Sequence, residues 1–138
     1  MEDIEDFFRA YAAAVEARDV AAIAAAWAYP SQVVSDLGDR LQVVAVPDAG
    51  AFSGPLSGLL EHYRRVGCKR IRLLELKAER LSGSLCRAVV RWGLLGLADL
   101  PLYDFTTSYV LGRFDGRWRA VSAVAHDEQQ QYRRFIGR

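Results

Sequence analysis

The chain has 138 residues, 51% of them apolar and 25% charged, and its formal net charge is +1. This composition predicts one globular domain over residues 1–138 and excludes a largely disordered chain. A net charge near zero gives no indication of nucleic-acid binding. No apolar run approaches the roughly 20 residues of a membrane span. No secretory signal pattern precedes the first helix, so a cytoplasmic protein is expected.

The N-terminal part of the chain is predicted to be helical. Residues 3–17 form a first helix because apolar side chains recur three and four positions apart. Asp19 is the predicted N-cap of a short second helix from Val20 to about Ala28, and Pro30 stops that helix. The apolar stripe of the first helix comprises Ile4, Phe7, Phe8, Tyr11, Ala14 and Val15.

Two short strands and a third helix are expected next. The strands cover 32–37 and 40–46, joined around Gly38-Asp39. After a loop over 47–50, a helix is predicted from Pro55 to Val66, with Gly67 as its C-cap.

From residue 70 onward the apolar pattern becomes that of strands. Segments 70–81, 85–95, 102–114 and 118–126 are separated by short turns, of which Asp115-Gly116 is a strong hairpin signal. They predict an antiparallel meander. The tail from 127 to 138 is predicted to add a helical turn or an edge strand.

The last strand suggests a dimer. Strict alternation would place Trp118, Ala120, Ser122, Val124 and His126 on one face, and Arg119, Val121, Ala123 and Ala125 on the other. Both faces are mostly apolar or small, whereas an antiparallel sheet normally leaves one face to water. Since the helices can cover only one side, a homodimer packed through its sheets is expected.

The order of elements and three stretches resemble a known superfamily. The stretches are YAAAVEARDV from Tyr11, then Ile23 and Trp27, and finally GRWRAVS from Gly116. They resemble the nuclear-transport-factor-2-like (NTF2-like) superfamily, and within it the SnoaL-like and ketosteroid-isomerase-like group. The resemblance implies an α+β fold in which a cone-shaped, curved antiparallel sheet wraps around N-terminal helices (a cystatin-like roll). It also implies a pocket at the wide end of the cone.

The resemblance bears on two catalytic positions. In the isomerase branch a tyrosine on the first helix and an aspartate on the first strand carry the chemistry. Tyr11 falls on the tyrosine position, but the aspartate position falls on Ser35, with Asp36 one residue later. A shift of one residue in a strand reverses the face. Either an irregularity turns Asp36 inward, or this base is missing.

Asp36 and His126 are the candidate acid–base residues, with Tyr11 as a hydrogen-bond donor. A carboxylate inside an apolar cone would have a raised pKa suited to proton transfer, and histidine titrates near neutral pH. The alternative for Asp36 is a solvent-facing turn acid before Gly38. For His126 it is a hydrogen-bonded histidine at the strand end on a dimer rim.

Four aromatic residues, Trp27, Tyr29, Trp92 and Tyr103, are the candidate walls of a small-molecule pocket, although such residues also build cores. Arg91 is a candidate for binding an anionic group, or else the partner of Asp104 in a cross-strand ion pair.

No cofactor or metal is expected. His62 and His126 are far apart, and Cys68 and Cys86 lack metal-ligand spacing, so the cysteines are predicted to be small buried residues, with a disulfide left open. Phosphate-loop, nucleophile-elbow and dinucleotide patterns are missing from the sequence.

Three functions follow from these predictions. The first is a pocket protein that binds a small, largely apolar molecule. The second is a SnoaL-like acid–base enzyme of the isomerase, cyclase or dehydratase type, acting on a cyclic enolisable substrate. The third is a dimeric assembly or interaction domain.

Overall fold

A computed structural model describes residues 3–137, which form four α-helices and six strands. In chain order these are α1 Ile4–Glu16, α2 Val20–Ala25, β1 Trp27–Asp36, β2 Leu41–Val46, α3 Ala49–Val66, β3 Arg70–Arg80, β4 Leu85–Leu95, β5 Pro101–Phe114, β6 Arg117–Ala125 and α4 Glu128–Ile136. None of the helices within this part of the chain is long and apolar enough to cross a membrane.

The six strands form one curved sheet in the order β2-β1-β6-β5-β4-β3. The antiparallel meander predicted for the second half is confirmed, because β3 to β6 pair in sequence. The sheet as a whole is mixed, since β1 lies parallel to β6. This parallel pair brings the end of β1 beside the end of β6, where Ser35 pairs with Ala125.

Local capping explains where the helices begin and end. Asp19 caps α2 as predicted, accepting a hydrogen bond from the Ala22 N–H at 3.1 Å. Asp48 caps α3 in the same way, accepting a hydrogen bond from the Ala51 N–H at 2.8 Å. The helix α3 therefore begins at Ala49, earlier than predicted, and Pro55 lies inside it. Gly67 ends α3 in the left-handed conformation, with φ of 82°.

Trp27 belongs to β1 and not to α2, which corrects the predicted end of the second helix. The residue pairs with Ala120 of β6, and its ring lies 5.1 Å from that of Phe52 on α3. Pro30 has no N–H to donate to the carbonyl of Ala26, four residues earlier. That carbonyl instead accepts a hydrogen bond from the Ala120 N–H of β6 at 2.9 Å, and the helix ends there. A β-region backbone then lets the large ring face the concave side of the sheet.

A β-bulge at Val121 reverses the faces predicted for β6. Val110 pairs with Ser122 and Leu111 pairs with Ala120, so Val121 has no opposite residue on β5. Trp118 and Ala120 face inward before the bulge, and Ala123 faces inward after it. Strict alternation is therefore wrong beyond residue 120, and His126 does not share a face with Trp118.

The core lies between the concave face of the sheet and the helices. Phe8 of α1 is fully buried, and its ring lies 5.0 Å from that of Tyr109 and 6.1 Å from that of Trp92. The tail, predicted as a helical turn or an edge strand, is the helix α4. Phe135 of this helix packs against Tyr103 of β5, with ring centroids 5.7 Å apart.

Candidate functional site

A cavity of about 380 Å³ lies between the helices and the concave face of the sheet and is partly open to solvent. This volume is within the range of small-molecule sites. The walls come from α1, α3, the first residue of α4 and all six strands, and they are mainly aliphatic and aromatic. The aromatic members of the lining are Tyr11, Trp27, Phe52, Tyr63, Trp92, Phe105 and Tyr109.

Two tryptophan–tyrosine pairs hold the aromatic walls in place. The indole N–H of Trp27 donates to the Tyr11 hydroxyl at 3.3 Å, and that of Trp92 donates to the Tyr109 hydroxyl at 2.9 Å. A phenol that accepts a hydrogen bond keeps its own proton for donation. Burial raises the pKa of Tyr11, so the hydroxyl is neutral near pH 7 and can donate to a bound molecule.

The charged residue of the lining is Glu128, the first residue of α4. The Tyr63 hydroxyl of α3 donates to its Oε2 at 2.9 Å. Desolvation raises the pKa of the Glu128 carboxyl to about 7, and the charge of Asp127 adds to the shift, while the hydrogen bond from Tyr63 opposes it. Near neutral pH this carboxyl therefore exchanges a proton readily.

Of the groups around Glu128 in residues 3–137, none carries a positive charge that would offset the charge of the carboxylate. Burial raises the pKa of Tyr63, Tyr103 and Tyr109, so all three phenols are neutral. On α3, His62 has its pKa lowered, mainly by burial and further by Arg65, which favours the neutral ring. The ring packs against Tyr132 and bonds to the Tyr103 hydroxyl at 2.8 Å.

Asp36 lies outside the main cavity, whereas Ser35 lines it. The β1 register is regular from Ser31 to Asp36, so no irregularity turns Asp36 inward. The Asp36 Oδ1 instead accepts a hydrogen bond from the Gly38 N–H at 2.9 Å, as a turn acid does. Asp36 does line a smaller cavity of about 210 Å³ that shares Ser35 and Glu128 with the main one.

His126 lies on the convex side of the sheet. The Val121 bulge turns the end of β6 so that Ala123 and Ala125 line the cavity, while His126 is exposed. Its Nε2 is 2.7 Å from the Ser108 hydroxyl, a residue of the convex face of β5. The geometry separates His126 from Tyr11 and Trp27, with which it was grouped as a candidate site.

Of the remaining predicted ligand residues, Trp27 and Trp92 line the cavity and the others do not. Tyr29 donates its hydroxyl to the Ala24 carbonyl at 2.7 Å. Tyr103 is buried in a cluster with His62. Arg91 lies on the convex face, where it pairs with Asp104 and donates to the Thr106 hydroxyl at 2.8 Å.

Within residues 3–137, no three histidine, cysteine, aspartate or glutamate side chains lie together in a group that could hold a metal ion. Cys68 and Cys86 are both free and buried, as predicted for small apolar residues.

Glu128 is the main site residue that the sequence predictions missed. It lies in the tail, for which the sequence predicts only a helical turn or an edge strand, whereas the structure has the helix α4. Helical spacing places Glu128 on one face with Tyr132 and Phe135, four and seven residues later. Both aromatic residues pack inward, so that spacing was the available signal.

Comparisons with known proteins support this fold. Residues 2–128 match the model of a family described as "NTF2-like protein (DUF6841)". A comparison with curated proteins finds no match to the chain. A protein of unknown function with a cystatin-like fold from Nostoc punctiforme superposes with a TM-score of 0.72 at 11% identity, over 89% of this chain and 86% of that one.

Two further solved structures are similar. An NTF2-like protein with a cystatin-like fold from Novosphingobium aromaticivorans gives a TM-score of 0.66 at 13% identity, covering 99% of this chain and 98% of the other. An NTF2-like protein of unknown function from Shewanella oneidensis gives 0.65 at 16% identity, over 90% and 96%. Likeness at these identities establishes the fold alone.

Proposed function

The chain belongs to the NTF2-like protein family DUF6841, and we propose that within this fold it binds a small, largely apolar molecule in the main cavity. The observation that carries the proposal is an open cavity of about 380 Å³ with mainly aliphatic and aromatic walls. A cone filled by its own side chains would leave no such space. The few polar groups, chiefly Tyr11 and Glu128, would orient the bound molecule.

Filling the cavity with a larger side chain should weaken binding. We expect Ala125→Phe to weaken the affinity for naphthylethanol, a neutral aromatic probe, by at least about tenfold, because the new ring occupies space that the probe needs. The titration can be followed through the indole N–H resonances of Trp27 and Trp92. Val124→Phe is the matched control, because Val124 is the neighbouring residue on the exposed side of β6.

The control should bind naphthylethanol within about twofold of the unmodified protein, since the added ring lies outside the cone. Equal affinities for all three proteins would show that the probe does not occupy the cavity, and the proposal would fall.

An acid–base enzyme of the SnoaL-like type is the second candidate. Its support is the Glu128 carboxyl, whose pKa of about 7 suits proton transfer, together with Tyr11 as a neutral donor. Such an enzyme would lose turnover in Glu128→Gln and keep it in Asp36→Asn and His126→Ala. The binding proposal, in contrast, requires no turnover.

We also retain the homodimer as a proposal. Its support is that the convex face of the sheet carries apolar side chains among its polar ones. They are Val89, Val110 and Val124, the last of which is 38% exposed. Sedimentation velocity is expected to give the mass of two chains. A single-chain mass at micromolar protein would contradict the dimer without affecting the cavity.

A further inference from the structure

The main cavity is unusual in the distribution of its charge. Among the described side chains that line it, Glu128 is the one that carries a formal charge when ionised, and arginine, lysine and histidine do not contribute. Most of the remaining lining is aliphatic or aromatic. An anion in such surroundings is costly unless an opposite charge accompanies it.

Among the described side chains packed around Glu128, none supplies that opposite charge. From α4 the nearest ionisable neighbour is Asp127, which is itself acidic and accepts a hydrogen bond from the Thr106 N–H at 2.8 Å. From α3 come the neutral Tyr63 and His62, and from β5 the neutral Tyr103 and Tyr109. An ionised Glu128 therefore lacks a compensating charge, which a bound cation would supply.

The Glu128 carboxylate can accept further hydrogen bonds. Tyr63 donates to Oε2, and one donor uses a fraction of the roughly four acceptor positions of a carboxylate. The aromatic walls of the same cavity are suited to a cation as well. The faces of indole and phenol rings attract positive charge, and Trp27, Trp92 and Tyr11 all line the same cavity.

We propose that the preferred occupant of the cavity is a small lipophilic amine, bound as the ammonium ion with its N–H groups directed at Glu128. This inference rests on the proposed function, since it names the class of molecule bound in the same cavity. The hydrocarbon part of the amine would fill the apolar cone, and the charge-assisted hydrogen bond would set its orientation.

Proton release gives the proposal a signature that a neutral ligand cannot produce. Below its folded pKa of about 7, Glu128 holds a proton. An amine that arrives already protonated must displace it, so about one proton per site passes to solvent at roughly pH 6. At roughly pH 8.5 Glu128 is already ionised, and little is released.

The test compares naphthylethylamine with naphthylethanol by isothermal titration calorimetry in two buffers of different ionisation enthalpy. At roughly pH 8.5 we expect the amine to bind about tenfold more tightly than the alcohol. Its binding should release about one proton at the lower pH, and alcohol binding none. In Glu128→Gln the proton release should disappear, and the amine and the alcohol should bind with affinities within about threefold of each other.

Glu79→Gln is the matched control, because it removes the same charge from an exposed side chain of β3 outside the cavity. It should retain the preference for the amine. If the alcohol binds but the amine is no tighter, or if the preference survives Glu128→Gln, the amine assignment is wrong and the cavity still binds apolar molecules. If neither probe binds, the proposed function itself fails, and the assignment fails with it.

Discussion

We expect Phe8→Ala to lower the free energy of unfolding by about 3–5 kcal/mol, the largest effect of any single substitution considered for this protein. Phe8 is fully buried on α1, and its ring contacts those of Phe7, Trp92 and Tyr109 at centroid distances of 5.0–6.1 Å. Removing it forfeits the apolar transfer free energy and leaves a void between helix and sheet. Equilibrium urea unfolding measures this loss: the midpoint urea concentration should fall, while the dependence of the unfolding free energy on urea concentration stays unchanged.

Phe114→Ala is the matched control for this substitution. Phe114 is also a phenylalanine but lies at the end of β5 with 41% of its surface exposed. We expect it to cost no more than about 1 kcal/mol. Similar losses in the two variants would mean that α1 does not pack into the concave face of the sheet as described.

Replacing Glu128 by glutamine should stabilise the protein at alkaline pH and change little at acidic pH. The pKa of Glu128 is raised to about 7 in the folded chain from an ordinary 4.5. Below about pH 4.5 the carboxyl is protonated in both states, and ionisation costs nothing. As pH rises toward 7 the unfolded chain ionises first, so the folded state loses relative stability, and the loss is complete above the folded pKa.

The size of the effect follows from the shift. Each pKa unit corresponds to 1.36 kcal/mol, and discounting for the partial exposure of Glu128 leaves a destabilisation on the order of 2 kcal/mol at pH 8. Glu128→Gln removes this titration while its amide oxygen can still accept from Tyr63. We therefore expect the variant to gain about 2 kcal/mol over the unmodified protein at pH 8 and to match it near pH 4.5.

Urea unfolding of both proteins across this pH range measures the difference directly. Other titrating groups are common to the two proteins and cancel in the comparison. Glu79→Gln should follow the pH dependence of the unmodified chain. A stability difference between Glu128→Gln and the unmodified protein that does not vary with pH would show that Glu128 is not desolvated in the folded state.

Most of the fold could be predicted from the sequence because its signals are local. The apolar stripe of α1, the cap at Asp19, the glycine at position 67 and the Asp115-Gly116 hairpin each depend on a few neighbouring residues, and the structure confirms them. The early start of α3 was missed because Pro55, which favours the first turn of a helix, sits inside a helix already capped by Asp48.

The candidate site was harder to predict because it depends on contacts distant in sequence. Alternation in β6 fails at Val121, where one unpaired residue exchanges the two faces and moves His126 outside the cone. Glu128 enters the cavity only because α4 folds back onto the sheet and meets Tyr63, a residue 65 positions earlier. The bulge leaves no periodic trace near His126, whereas the helical spacing of Glu128, Tyr132 and Phe135 is a local sign of α4.

On the proposals above, the concave cavity holds a small molecule whose polar end meets Glu128. A crystal structure of the protein with naphthylethylamine tests it most directly. We predict the naphthyl ring inside the cone between Trp27 and Phe105, with the nitrogen within hydrogen-bonding distance of the Glu128 carboxylate. Clear density for the amine on the convex face of the sheet, with the cone empty, would contradict the account.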